Sequence, residues 1–418
     1  MVTNITVPLL GLVDTTIVGH MGRAEYIGAI AIGTTIFNIC YWIFAFLRMG
    51  TTGLVAQAHG RGDAFQIKFI LRRSLSLSLL LGCLLLLAQR FILTLSLWLM
   101  PAEAEVQQMV TTYFGICIWG APPMLALFVL NGWFIGCQDT RSPMLVAIAQ
   151  NLLNIALSLW LVCGCRWKIE GVATGTLLAQ WAAALTALIL AWRKSRTMHS
   201  TATTATAPLA LARVFRIHRD IFLRTLCLVS VTLGFTAAGS RQGNLILSAN
   251  ALLMQFFIFY SYFTDGLANA AEALSGRYAG AGDRPMLRTV VGALFVQSTL
   301  VALLFTSVYL VCGPAILRLL TDQPSVAQTA RHFLPWAVAI PLLAMPAMVW
   351  DGVFIGLTWS TQMMQSMALS AAAFFAVRQL AQPSLGNHAL WLAFVGYLLL
   401  RGTLQTVYVT RKYIIHEL

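Results

Sequence analysis

The sequence predicts an all-α membrane protein with twelve transmembrane helices in two six-helix lobes, related by a pseudo-two-fold axis along the membrane normal. Three observations predict it: an internal repeat, a composition too apolar for a soluble chain, and a run of long apolar windows. The repeat holds one constant shift of 220 residues. Trp133-Phe134-Ile135-Gly136 returns as Val353-Phe354-Ile355-Gly356, and Gly60-Arg61-Gly62-Asp63 returns as Gly280-Ala281-Gly282-Asp283. Gly19 maps onto Gly239, Ala31 onto Ala251, Leu54 onto Leu274 and Val106 onto Val326 without insertion or deletion. Equal, in-register apolar halves read as two like lobes in one membrane.

Of the 418 residues, 59% are hydrophobic and 10% charged, against roughly 25% charged in an ordinary soluble domain. So few charges cannot cover a water-exposed surface, and most of the exterior must face lipid. The net charge of +13 then belongs to short basic loops rather than to a nucleic-acid surface. Eight Cys are scattered mostly through apolar stretches, and even Cys163 and Cys165 read as packing residues, not as metal ligands or a redox pair. No metal site is expected. The first basic residue is Arg23, so the charged start of a cleavable signal is missing. Apolar sequence begins already at Val2, which predicts a short first helix or a trimmed start.

Apolar windows of about 20 residues, enough to cross a bilayer, fall near 2–19, 27–50, 67–88, 109–133, 143–163 and 169–192. A second set falls near 220–239, 245–271, 287–313, 332–357, 361–381 and 388–410. The division this implies is an N-lobe over 1–192, a linker over 193–219 and a C-lobe over 220–418. Loops after the even-numbered spans and the C-terminal tail hold 17 of the 27 Lys and Arg, and the opposite side holds eight. The positive-inside rule therefore predicts a cytoplasmic C-terminus and a cytoplasmic linker.

Charge inside a span is costly and marks function or pairing. Asp14, Arg48, Asp265, Glu272 and Asp351 qualify. Asp14 follows Pro8 and Gly11, which favour a bend beside it, and such a carboxylate can take and release a proton or hold a cation. The alternative is an Asp that reaches the outer interface or caps a neighbouring helix. Arg48 and Glu272 sit near the cytoplasmic ends of spans 2 and 8, where they form either an ion pair between lobes or two interfacial charges. Asp265 shares a helix face with Glu272. Asp351, one turn before Gly356, reads as a cap or interface residue. Aromatic runs in spans 2 and 8 supply Tyr41, Trp42, Phe256 and Tyr260 as candidates to wall a substrate cleft by stacking and cation–π contact, with core packing the plainer reading for most of them. Neither a phosphate-binding GxxxxGK[ST] nor a GxSxG or HExxH motif occurs, so neither a nucleotide-driven pump nor a hydrolase is expected, and no enzyme.

Asn4-Ile5-Thr6-Val7-Pro8-Leu9-Leu10-Gly11-Leu12-Val13-Asp14-Thr15 closely resembles the first helix of the DinF branch of the multidrug and toxic compound extrusion (MATE) transporters. The resemblance extends through Phe46-Leu47-Arg48-Met49-Gly50, Asp265-Gly266 with Glu272, Asp351-Gly352-Val353-Phe354-Ile355-Gly356 and Gly386-Asn387-His388-Ala389-Leu390-Trp391. It implies a secondary exporter in a bacterial cytoplasmic (inner) membrane, exchanging H⁺ or Na⁺ for lipophilic, often cationic compounds, monomeric and without a cofactor. It also implies a cation site made of Asp14, Asn154, Thr176 and the position of Ser158. Relatives carry Asp where this chain has Ser158, and one carboxylate fewer weakens a Na⁺ site more than a proton site, because Na⁺ needs several hard oxygen ligands at once. H⁺ is thus the expected coupling ion. The rival readings are a flippase for lipid-linked oligosaccharides, which needs a cleft rich in Arg and Lys where only Arg48 lies well within a span, and a non-transporting degraded paralogue.

Overall fold

The computed structural model describes residues 24–100, 102–199 and 210–414. Among them every regular element is helical. The chain divides into two units, 1–209 and 210–418.

In the first unit, α1 (Ala24–Ile43) and α2 (Phe46–Gly60) form one span broken at Phe44 and Ala45, and α3 (Ala64–Leu87) returns. A short α4 (Gln89–Leu99) buries no residue and leaves Phe91, Trp98 and Leu99 more than half exposed. That pattern suits a helix lying in the membrane interface, and no apolar window foretold it. α5 (Ala104–Cys117) and α6 (Ala121–Gly136) make the next span, joined by a 3₁₀ turn at Ile118–Gly120. Pro122 and Pro123 sit at the start of α6, where a missing N–H costs nothing, so the backbone tightens just before them. α7 (Arg141–Leu159) and α8 (Ile169–Thr197) complete the unit.

The second unit holds α9 (Leu211–Ser240), α10 (Asn244–Ala281), α11 (Arg284–Leu320), α12 (Pro324–Gly356), α13 (Ser360–Leu385) and α14 (Asn387–Ile414). The expected linker bounds need correction, because α8 continues to Thr197 and α9 already begins at Leu211. Among the described residues, ten stretches are long and apolar enough to cross a membrane, and α13 adds a further 26-residue helix that is richer in Ser and Gln. The first expected span, with Asp14, lies outside the described residues.

The 220-residue repeat recurs in the contacts. A Cβ on Gly132 would meet the Arg48 carbonyl oxygen at 2.3 Å, and one on Gly352 would meet the Ala268 carbonyl oxygen at 2.5 Å. Gly136 faces the Thr52 carbonyl and Gly356 the Glu272 carbonyl in the same way. Each of these four contacts maps onto its counterpart at a shift of 220, and each lets two helix backbones touch, as small residues do in membranes. Helix entry repeats as well. Asp63 accepts from the Gln66 N–H at 3.0 Å and Asp283 from the Met286 N–H at 3.0 Å, each after a left-handed glycine, Gly62 or Gly282.

The core of the second unit is aromatic. Phe256 and Tyr260 are 3% and 0% exposed. Tyr260 donates to the Pro341 carbonyl at 3.0 Å, and Tyr309 donates to the Phe256 carbonyl at 2.8 Å. Their reading as cleft walls is therefore corrected: both pack inside the lobe, and Tyr260 satisfies a carbonyl in the apolar interior. Tyr41 is likewise buried, stacked on Phe37, which in turn stacks on Phe114. Of the four proposed cleft aromatics, Trp42 alone is exposed. The cysteines also depart from expectation. Cys117 and Cys137 are buried, but Cys83, Cys163, Cys165 and Cys312 face outward.

Candidate functional site

The site implied for the N-lobe assembles on α7 and α8. Asn154 is 2% exposed and donates from Nδ2 to Thr176 Oγ1 at 2.9 Å. Ser158 follows one turn later on the same face of α7, fully buried. It abuts Gly175, where an added Cβ would lie 2.6 Å from Ser158 Oγ, so a glycine is needed for the two helices to approach. The Asn154 Oδ1 and Ser158 Oγ atoms have no hydrogen-bond partner. A buried oxygen left in this state costs free energy unless a proton donor, a cation or water reaches it. The structure thus brings Asn154, Ser158 and Thr176 together. Asp14, the carboxylate of the set, lies outside the described residues. One turn beyond Thr176, Gln180 Oε1 is also buried and unpaired, a polar position that the pattern of an Ala-rich helix does not single out. Among the described residues, no group of three His, Cys, Asp or Glu is placed to hold a metal ion.

The secondary charges differ in burial. Arg48 is half-buried on α2, Asp265 is exposed on α10, and Glu272, two turns further along α10, is 2% exposed. Asp351 is corrected from a cap to the centre of a buried charge cluster. Its Oδ2 accepts from Arg401 Nη2 at 2.8 Å and also from Arg224 Nη2, while its Oδ1 accepts from Gln405 Nε2 at 2.9 Å. Arg401 donates in addition to the Tyr397 hydroxyl at 3.3 Å. Helices α9, α12 and α14 are fastened at this point. Arg224 falls among the cytoplasmic loop charges by its place in the sequence, but it sits inside α9 and is 8% exposed. Arg48 is therefore not the sole basic residue within a span, though both added arginines are held on Asp351. The available signals were Arg224 inside Ile221-Phe222-Leu223-Arg224-Thr225-Leu226, and Arg401 and Gln405 one turn apart.

Outside the spans, Asp139 caps α7. It accepts from the Ser142 N–H at 3.0 Å, from the Ser142 hydroxyl at 2.8 Å and from Lys194 Nζ at 2.7 Å. Partial burial pushes its carboxyl upward, but the Lys194 and Ser142 hydrogen bonds outweigh it and hold the group below the usual carboxylate range. Its repeat counterpart is Trp359, and the start of α13 is instead tied to Asp220 of α9, which accepts from the Ser360 and Thr361 hydroxyls.

Two helical units built on one repeat of long apolar helices, the first holding a buried oxygen-rich site, define a multi-pass membrane protein. Similarity to known proteins agrees. The sequence model of the MatE family matches residues 1–160 and 221–377, and the chain belongs to that family of membrane transporters. It is 39% identical over 402 residues to DNA damage-inducible protein F of Escherichia coli (strain K12), covering 96% of this chain and 87% of that one. Two solved structures share the fold at 18% identity. A MATE protein in the bent conformation matches with a TM-score of 0.87, over 99% of this chain and 92% of that one. A multidrug resistance MATE family transporter in the outward-facing conformation matches with a TM-score of 0.86, over 100% and 95%.

Proposed function

We propose that this chain is a secondary antiporter of a bacterial cytoplasmic membrane, with its C-terminus in the cytoplasm, that exports lipophilic, often cationic compounds in exchange for H⁺. The observation that carries the reading is the buried Asn154–Thr176 pair with two unpaired oxygens, Asn154 Oδ1 and Ser158 Oγ, facing one site. Asp14 is the proton carrier.

Three neutral oxygens and one carboxylate make a poor cage for Na⁺, while a single carboxylate suffices for a proton. Protonation from outside neutralises Asp14, lets the first helix shift near Pro8 and Gly11, and releases the substrate. The deprotonated form binds the next cation. Coupling requires protonation to differ in free energy between the inward-open and outward-open states. The flippase alternative gains nothing from Arg224 and Arg401, because both are buried on Asp351 and neither is presented to a pyrophosphate. The test is substrate efflux, and proton release on substrate addition, for Asp14→Asn in proteoliposomes. Loss of both is expected; undiminished efflux overturns the mechanism, and efflux driven equally by a Na⁺ gradient overturns the choice of ion.

A further inference from the structure

The counterpart of the cation site in the second lobe has the opposite charge. At a shift of 220, Asp14 becomes Gly234, Asn154 becomes Phe374, Ser158 becomes Arg378 and Thr176 becomes Gly396. The carboxylate is gone and a guanidinium stands where the first lobe has a hydroxyl. α9 and α13 approach closely there, since a Cβ on Gly234 would meet the Phe375 ring at 2.7 Å. Arg378, half-buried, lies over the Phe375 ring, 6.0 Å from its centroid, with Nη1 3.4 Å from the Gly234 carbonyl oxygen. Its Nε is buried and has no hydrogen-bond partner.

Two turns beyond Gly234, Arg241 ends α9. Together Arg241, Arg378, Gln379, Gln382 and Pro383 line a recess of about 490 Å³. It carries two guanidinium groups and no carboxylate. It opens at the end of the lobe opposite the Lys- and Arg-rich loops, where basic residues are normally sparse, so the pair is conspicuous. Two planar forks around one opening suit a tetrahedral anion with several oxygens. Below the recess the surface is apolar: Phe375 lies on the same face of α13 one turn earlier, and Leu233 and Leu226 are exposed on α9.

We infer that this recess binds the phosphate of an anionic phospholipid from the outer leaflet, with Arg241 and Arg378 on the phosphate, Gln379 and Gln382 at the headgroup, and an acyl chain along Phe375 and Leu233. A charged head on an apolar tail matches the recess and the surface beneath it, and the excess positive charge selects anionic over zwitterionic lipid.

The experiment is native mass spectrometry of the detergent-solubilised protein titrated with phosphatidylglycerol, phosphatidylcholine or inorganic phosphate. Phosphatidylglycerol is expected to bind more tightly than phosphatidylcholine, and the R241Q/R378Q variant to lose about tenfold in its affinity, the loss of charge-assisted hydrogen bonds to one phosphate. Arg241 is exposed at a helix end, so R241Q alone reports binding without disturbing the fold and is expected to show a smaller weakening in the same direction. Unchanged phosphatidylglycerol binding in both variants overturns the site. Equal binding of phosphatidylcholine overturns the selection by charge, and inorganic phosphate binding as tightly as phosphatidylglycerol overturns the lipid as its occupant.

Discussion

Arg401 and Asp351 are joined across 2.8 Å inside the second lobe, with side chains 6% and 9% exposed. Arg224 shares the same carboxylate oxygen, so two cations rest on one anion in an apolar interior. Removing one member of such a group strands the others without a partner, whereas replacing the whole group by apolar residues costs little. Asp351→Ala is therefore expected to destabilise the protein by about 3–5 kcal/mol, read as a lowered thermal midpoint in detergent. The triple variant D351L/R224L/R401M is expected to recover much of that loss. A triple variant less stable than Asp351→Ala would show that the arginines contribute by more than pairing.

Close backbone contact at the repeated glycines gives a second prediction. At Gly352 an added Cβ has nowhere to go, because its neighbours are the Ala268 carbonyl and the Ala271 Cβ. Gly352→Ala must push α10 and α12 apart, an overpacking cost of about 1–3 kcal/mol. Gly292, within α11, is different: a Cβ added there would find nothing within 4 Å, and Gly292→Ala is expected to be neutral or stabilising through helix propensity. Thermal midpoints of the two variants, measured side by side, check the contrast.

That those glycine contacts recur in both lobes follows from the register read in the sequence, while the Asp351 cluster had no such signal. A constant register of 220 residues links the lobes position by position, so once the helix entry at Asp63 and the tight crossing at Gly132 are seen, those at Asp283 and Gly352 are expected. Arg224, Asp351 and Arg401 come from three helices far apart in sequence and are matched at a shift of 220 by the uncharged Asn4, Asn131 and Trp181. Nothing in spacing or periodicity links them, and a buried arginine in a span end reads the same as one at a membrane interface. The aromatic runs misled for a related reason. Phe256 and Tyr260 have the composition of a binding wall, but their inward orientation depends on Pro341 and Tyr309, which periodicity within α10 does not encode. Asn154, Ser158 and Thr176 were reached through resemblance, and only the packing of Ser158 on Gly175 shows why they converge.

Asp139 supplies a pH dependence whose sign is fixed. Its folded-state carboxyl is held below the ordinary range by Lys194 and Ser142, so its contribution is present above the unfolded value, near 3.9 for an Asp, and is lost as the pH falls through the lower folded value. Its partner Lys194 is 31% exposed, so the contribution is that of a surface pair, below about 1 kcal/mol, and weakens with salt. Thermal midpoints of the parent and Asp139→Asn are expected to differ at neutral pH and converge under strongly acidic conditions. A difference that grows toward acid would contradict the pairing.

Ser158 is the position at which the choice of coupling ion is open to experiment. In the folded protein its hydroxyl lies one turn from Asn154 Oδ1, and both oxygens lack partners. Ser158→Asp places a second carboxylate among ligands already present: Asn154 Oδ1, Thr176 Oγ1 and, on the proposed reading, Asp14. A hard monovalent cation then meets several oxygens and compensating charge at once. The substitution is expected to make substrate efflux respond to an imposed Na⁺ gradient where the parent responds to pH. It also carries a structural cost, because Ser158 is fully buried against Gly175 and a larger side chain must push into that contact. Ser158→Ala separates the two effects: it removes the hydroxyl without adding bulk, and is expected to leave proton-driven efflux within about tenfold of the parent, since a neutral ligand contributes on the order of 0.5–1.5 kcal/mol. Efflux assays in proteoliposomes under separate H⁺ and Na⁺ gradients decide the matter, and a Na⁺-driven parent with no gain in Ser158→Asp would place the coupling chemistry elsewhere.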